Sequence, residues 1–188
     1  MIIGDSNTYG WDPRDFFGEP YKKPWPKFLK EAGFEVLVDA MPGREIPHFA
    51  ESINSKIAMI KKERPDILMI MLGSNDILNM YEPNVDVAFD RMKNFADNIK
   101  DSFESAANII LMAIPKIKIP GGYPLAGMQY NACLKQFALD LGFSFFKCDK
   151  ELPLSYDGVH LTEEGHGMLG KAVVRYIKKV ETESATYE

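Results

Sequence analysis

The sequence is poor in the residues that build redox centres, metal sites and covalent staples. It has two cysteines in 188 residues. Cys133 and Cys148 stand in unrelated contexts and form no Cys-x-x-Cys pair, which argues against a disulfide scaffold or a cysteine metal site and predicts two reduced thiols. No apolar run approaches the ~18 residues of a membrane span, so none is expected. The start lacks a basic segment followed by a long apolar stretch. It therefore reads as a cytoplasmic protein without a signal peptide, with secretion left open if the start is processed. Basic runs are also missing. Lys and Arg number 22 against 27 Asp and Glu, a net charge of −5, and a nucleic-acid partner wants a positive face. Repeats and low-complexity stretches are absent. Histidine is scarce, with only His48, His160 and His166.

What is present is ordinary for one globular domain: 46% hydrophobic and 26% charged residues. The domain is expected over 1–180, with 181–188, ETESATYE, as a polar tail. Short apolar runs occur at Phe34–Val38, Ile67–Leu72, Ile109–Ile114 and Phe143–Phe146, and Met1–Ile3 would be a very short first strand. Nearly unbroken apolar strands suit a parallel sheet covered on both faces. Between them, Phe49, Ile53, Ile57 and Ile60 recur at helical steps, as do Val85, Phe89, Met92, Phe95, Ile99 and Phe103. Thr162 reads as the N-cap of a last helix whose apolar face includes Met168, Leu169, Val173 and Ile177. Pro115–Pro124 is too rich in Pro and Gly for a helix and reads as a rim loop. The pattern predicts a three-layer α/β/α sandwich around a mostly parallel, flavodoxin-like five-stranded sheet.

In such a fold, ligands bind outside the carboxyl ends of the strands. Three segments loaded with chemistry land there: Gly4-Asp5-Ser6-Asn7, Gly73-Ser74-Asn75-Asp76 and Asp157-Gly158-Val159-His160. A serine hydroxyl is a weak nucleophile that needs a base, and the base needs an orienting acid. His160, in a loop three residues after Asp157, can serve Ser6 as that base, with Asp157 holding the far ring nitrogen. His48 and His166 read as surface or core. A tetrahedral intermediate needs uncharged, preorganised donors. The Asn75 amide and the N–H groups of Gly43 and Ser6 can supply them, although Gly43 alone would be a turn glycine and Asn75 alone a helix cap.

These three segments, with Gly43 as a fourth block between the first and second, resemble the SGNH hydrolases, the GDSL esterase/lipase family. The resemblance runs from residue 4 to residue 160. It implies a serine esterase with Ser6 as nucleophile, His160 as general base and Asp157 as its orienting acid. It places Ser6, Gly43 and Asn75 in the oxyanion hole and implies no cofactor and no metal. Asp5 and Asp76 match family positions and read as positioning residues. Asn7 stands where many relatives have Leu and reads as outside the chemistry. The stretch GDSNTYGWDPR, with Gly43-Arg44 after it, is most similar to the arylesterase-type members, which act on short-acyl esters and in some cases transfer the acyl group. The expected partner is a small-molecule ester, and a homo-oligomer is compatible with the sequence. A carbohydrate O-acetylesterase, a lysophospholipase or a thioesterase are alternatives within the family. Outside it, a flavodoxin-like phosphate or flavin module would leave Gly73–Asp76 and Asp157–His160 unexplained, and intact Ser6, Asp157 and His160 argue against a non-catalytic scaffold. Pocket depth is expected to depend on the loops Tyr9–Lys22 and Pro115–Pro124, with Trp11, Phe16, Phe17, Tyr21 and Tyr123 lining it or capping the core.

Overall fold

Five short strands form one parallel sheet: β1 (Ile2–Gly4), β2 (Val38–Ala40), β3 (Leu68–Met71), β4 (Ile109–Met112) and β5 (Ser144–Phe146), in the order β2-β1-β3-β4-β5. The computed structural model describes residues 1–15, 17–103 and 108–184. Among them lie the helices α1 (Ser6–Tyr9), α2 (Trp25–Glu31), α3 (Ala50–Glu63), α4 (Ser74–Leu78), α5 (Val85–Ile99), α6 (Tyr123–Asp140) and α7 (Glu163–Ser184). The sandwich expected from the sequence is the one observed.

Strand alternation divides the core between the two faces. Leu68 and Ile70 of β3 point with Ile109 and Leu111 of β4 toward α3, α5 and α6. Met69, Met71, Ile110 and Met112 point toward α2 and α7, where Trp25, Leu29, Leu169, Val173 and Ile177 meet them. Strands buried on both faces carry no polar positions, which is why β3 and β4 read as continuous apolar runs.

Three boundaries differ from the sequence reading. The second strand is Val38–Ala40, not Phe34–Val38. Register aligns Ile2 with Val38, and as an edge strand β2 has only β1 to pair with, so Phe34 and Val36 pack against the α2/α7 core without joining the ladder. Tyr123 and Pro124, read as loop, open α6, because proline is tolerated in a helix's first turn. The expected tail at 181–188 is helical through Ser184, since each further helical residue adds a hydrogen bond; 185–188 lie outside the described residues. The Thr162 cap is present, its Oγ1 accepting the Gly165 N–H at 3.1 Å.

In this strand order the chain reverses direction across the sheet between β1 and β3, the crevice where doubly wound folds bind ligands. Ser6 follows β1 and Asn75 follows β3. No described helix is long and apolar enough to cross a membrane.

Candidate active site

β1 ends at Gly4, and the chain turns at once into the single helical turn α1. The Asp5 carboxylate caps that turn by accepting the Asn7 N–H at 2.9 Å, and Gly10 closes it. A Cβ on Gly4 would lie 2.1 Å from Thr8 Oγ1, so only glycine lets the turn fold back this tightly on the strand. The result is a fixed Ser6 with little surface.

The third block comes to meet it. His160 Nε2 stands 2.9 Å from Ser6 Oγ, and His160 Nδ1 stands 2.5 Å from Asp157 Oδ2. Asp157 Oδ1 also accepts the backbone N–H groups of Val159 and His160, both at 3.0 Å. Burial pushes the Asp157 carboxyl up, but the bonds from the His160 ring and from these two N–H groups outweigh it and hold the group below its ordinary value. The loop is pinned further by Ser155 N–H to His160 O and Lys118 N–H to Gly158 O. With Asp157 accepting at Nδ1, a neutral His160 carries its proton there and presents a bare Nε2 to the Ser6 hydroxyl.

The other histidines do neither job. His48 Nδ1 bonds the Ile46 carbonyl. His166 is fully buried in α7 against the Tyr21 ring. Burial, then the nearby His160, pushes its pKa down to about 4, so it stays neutral through the physiological range.

Asn75 sits in the first turn of α4, and its Nδ2 donates to the Arg44 carbonyl at 2.9 Å. An amide has two N–H groups, so one remains for a ligand. The same bond holds the loop of Gly43 beside Asn75. Met41 N–H reaches Gly4 O at 3.4 Å, tying that loop to the end of β1. Gly43 has φ +74° and open space where a Cβ would project, leaving its backbone approachable. Ion pairs brace this side. Arg44 and Lys56 both bind Asp39, at 2.8 and 2.5 Å. Arg91 binds Asp76 and Glu45, each at 2.8 Å. Asp76 also accepts the Ile46 N–H at 3.0 Å, so it acts on the loop of Gly43 as a positioning group. Burial raises the Asp76 carboxyl despite Arg91.

Asp5 positions too, as expected. Burial pushes its pKa up to about 6, against the bonds from Asn7 and Ser74 and the attraction of His160. Asn7 corrects the sequence reading. Its Nδ2 donates to Val159 O at 3.2 Å and its Oδ1 accepts the Leu161 N–H at 2.9 Å, so it grips the peptide groups on both sides of His160. Its partners lie 152 and 154 residues away, and no local pattern signals such contacts. Arg91, Glu45 and Ser74 were likewise not singled out. Tyr21 and Tyr123 pack as structural residues, Tyr123 donating to Met80 O; Phe16 lies outside the described residues. Two cavities of about 390 and 400 Å³ open elsewhere on the molecule, and Ser6 lines neither.

The chain belongs to the GDSL-like Lipase/Acylhydrolase family, whose model matches residues 2–168. That family is the SGNH, or GDSL, group that the sequence motifs resemble, and the relatives the chain is similar to include arylesterases. It is 26% identical over 140 residues to an arylesterase of Vibrio mimicus, a match covering 70% of this chain and 58% of that protein. It is 28% identical over 124 residues to a multidomain esterase of Ruminococcus flavefaciens, covering 60% of this chain and 15% of the larger protein. The chain thus matches less than two thirds of either curated relative. In fold it resembles a carbohydrate acetylesterase family member from Sinorhizobium meliloti, with a TM-score of 0.77 at 19% identity, over 95% of this chain and 97% of that one.

Proposed function

We propose that this chain is a serine esterase that hydrolyses small, short-acyl carboxylic esters of the acetyl type through an acyl-enzyme. Ser6 Oγ attacks the ester carbonyl while His160 Nε2 takes its proton. Asp157 holds the ring and stabilises the imidazolium. The oxyanion forms against the N–H groups of Ser6 and Gly43 and the free N–H of Asn75. As the tetrahedral intermediate collapses, His160 returns the proton to the departing alcohol oxygen and Ser6 keeps the acyl group. Water then attacks the acyl-Ser6, losing its proton to His160, and the carboxylic acid leaves as Ser6 Oγ recovers that proton.

The observation that carries the reading is the 2.9 Å approach of His160 Nε2 to Ser6 Oγ with Asp157 on the far ring nitrogen. The short-acyl preference draws on the likeness to an arylesterase and to a carbohydrate acetylesterase family member. A panel of aryl esters of rising acyl length tests it, with acetate expected to turn over fastest. Ser6→Ala should lose turnover by several orders of magnitude while keeping its fold. A serine-reactive phosphonate should label Ser6; label on Ser74 or Ser155 instead would move the site.

A further inference from the structure

We infer that Asn7 is a positioning residue for His160, holding the loop that carries the imidazole in line with Ser6. The inference rests on the proposed roles of Ser6 and His160. Three observations carry it. First, Asn7 is buried, with 2% of its surface exposed. Second, its amide uses both of its chemistries on one short loop, donating to the carbonyl before His160 and accepting from the N–H after it. Those partners fix the amide's orientation, because a carbonyl only accepts and an N–H only donates. Third, Asn7 is covalently next to Ser6, and the Asp5 carboxylate ties its N–H into the same turn. Nucleophile and clamp therefore move as one body, and the clamp carries the loop of the base.

Asp157 and Asn7 divide the work. Asp157 reaches the His160 ring and the N–H groups of Val159 and His160, all within its own loop. It can set the ring relative to that loop but not the loop relative to Ser6. Asn7 supplies the missing link from the loop to the serine's turn. Leucine at this position would leave the Leu161 N–H and Val159 carbonyl without their partner. Aspartate, of nearly the same shape, would set a carboxylate oxygen against the Val159 carbonyl and add negative charge close to the imidazole.

The test measures kcat, KM and melting temperature on an aryl acetate for Asn7→Leu and Asn7→Asp, each alone and combined with His160→Ala. Alone, each variant should lose about 10- to 100-fold in kcat, the scale expected when a reacting group is displaced by a fraction of an ångström to one ångström, with KM changed much less. With His160 already removed, Asn7→Leu should alter the residual rate by less than about twofold, because a residue acting through His160 has nothing left to act on. Asn7→Asp should also move the acidic limb of kcat/KM to higher pH, since added negative charge favours the imidazolium. A variant that melts lower but keeps kcat within about twofold overturns the inference, as does an equal loss in both backgrounds. If leucine prevents folding, the aspartate variant carries the same comparison; failure of both to fold makes Asn7 a folding residue and also counts against it. Full turnover in His160→Ala alone would instead sink the proposed role of His160, a separate result.

Discussion

On one side of Ser6 the structure is braced by charge. Arg91 joins Asp76 and Glu45, and Arg44 with Lys56 joins Asp39. On the other side, the loop of His160 is held by the Asp157 carboxylate, the neutral Asn7 amide and backbone bonds. Among the described residues, no lysine or arginine side chain contributes to those bonds. The chemistry proposed for each side explains the difference. Donors aimed at a developing oxyanion keep one charge state throughout, so a rigid ionic frame suits them. The base gains and loses a proton in every turnover, and a fixed cation beside it would oppose the imidazolium.

The largest effect should come from emptying the braced side of its donor. Asn75→Ala should cost about 10²–10³ in kcat, or about 2.7–4 kcal/mol, with a smaller change in KM. Steady-state kinetics would check this; a change in KM alone would make the amide a ground-state contact. Next comes the frame itself. Arg91→Met leaves the Asp76 carboxylate buried without its partner and should cost about 3 kcal/mol at neutral pH, toward the low end for a broken buried pair because Arg91 is partly exposed. Without Arg91 the folded Asp76 carboxyl is raised further above its unfolded value. The cost should therefore be largest at high pH and shrink as pH falls toward the carboxylate range. Melts at pH 8 and pH 5 compare the two, and equal losses would show that the pair is not the cause.

The smallest effect concerns the boundary between the sides. Asp5 is raised to about 6 by burial. Its contribution to folding is full below the unfolded carboxylate value and is lost as pH rises through about 6, at most about 3 kcal/mol. Asp5→Asn keeps an acceptor for the Asn7 N–H and should gain stability over wild type as pH rises from the unfolded carboxylate value to about 6, with no further gain above it. It also removes a negative charge that favours the His160 imidazolium, so the acidic limb of kcat/KM should move to lower pH. A limb that stays in place would uncouple the two groups.

Where burial is complete, the sequence could be read directly. β3 and β4 announce themselves because neither face meets water, and α7 because Thr162 caps an apolar stripe. The meeting of Ser6, Asp157 and His160 was legible because few residue types suit the chemistry proposed for them and the topology sends them to one rim. The edge strand β2 was misplaced because its extent depends on register with β1, which apolar runs do not encode. Asn7 was read as outside the chemistry, and Arg91 was not singled out, for a related reason. Their roles lie in partners far along the chain, and an isolated asparagine or arginine looks like any polar surface residue.

The contact between Ser6 and His160 joins positions 154 residues apart, spanning nearly the whole domain. Closing so long a loop costs entropy that only the intervening sheet and helices can offset. On the ribosome, Ser6 emerges well before His160, since 154 residues separate them. A nascent chain therefore carries a serine with no partner until β5 and the loop after it have left the exit tunnel. The meeting of Ser6 and His160 is accordingly a property of the assembled sheet, and no stretch of chain short of it can bring the two side chains together.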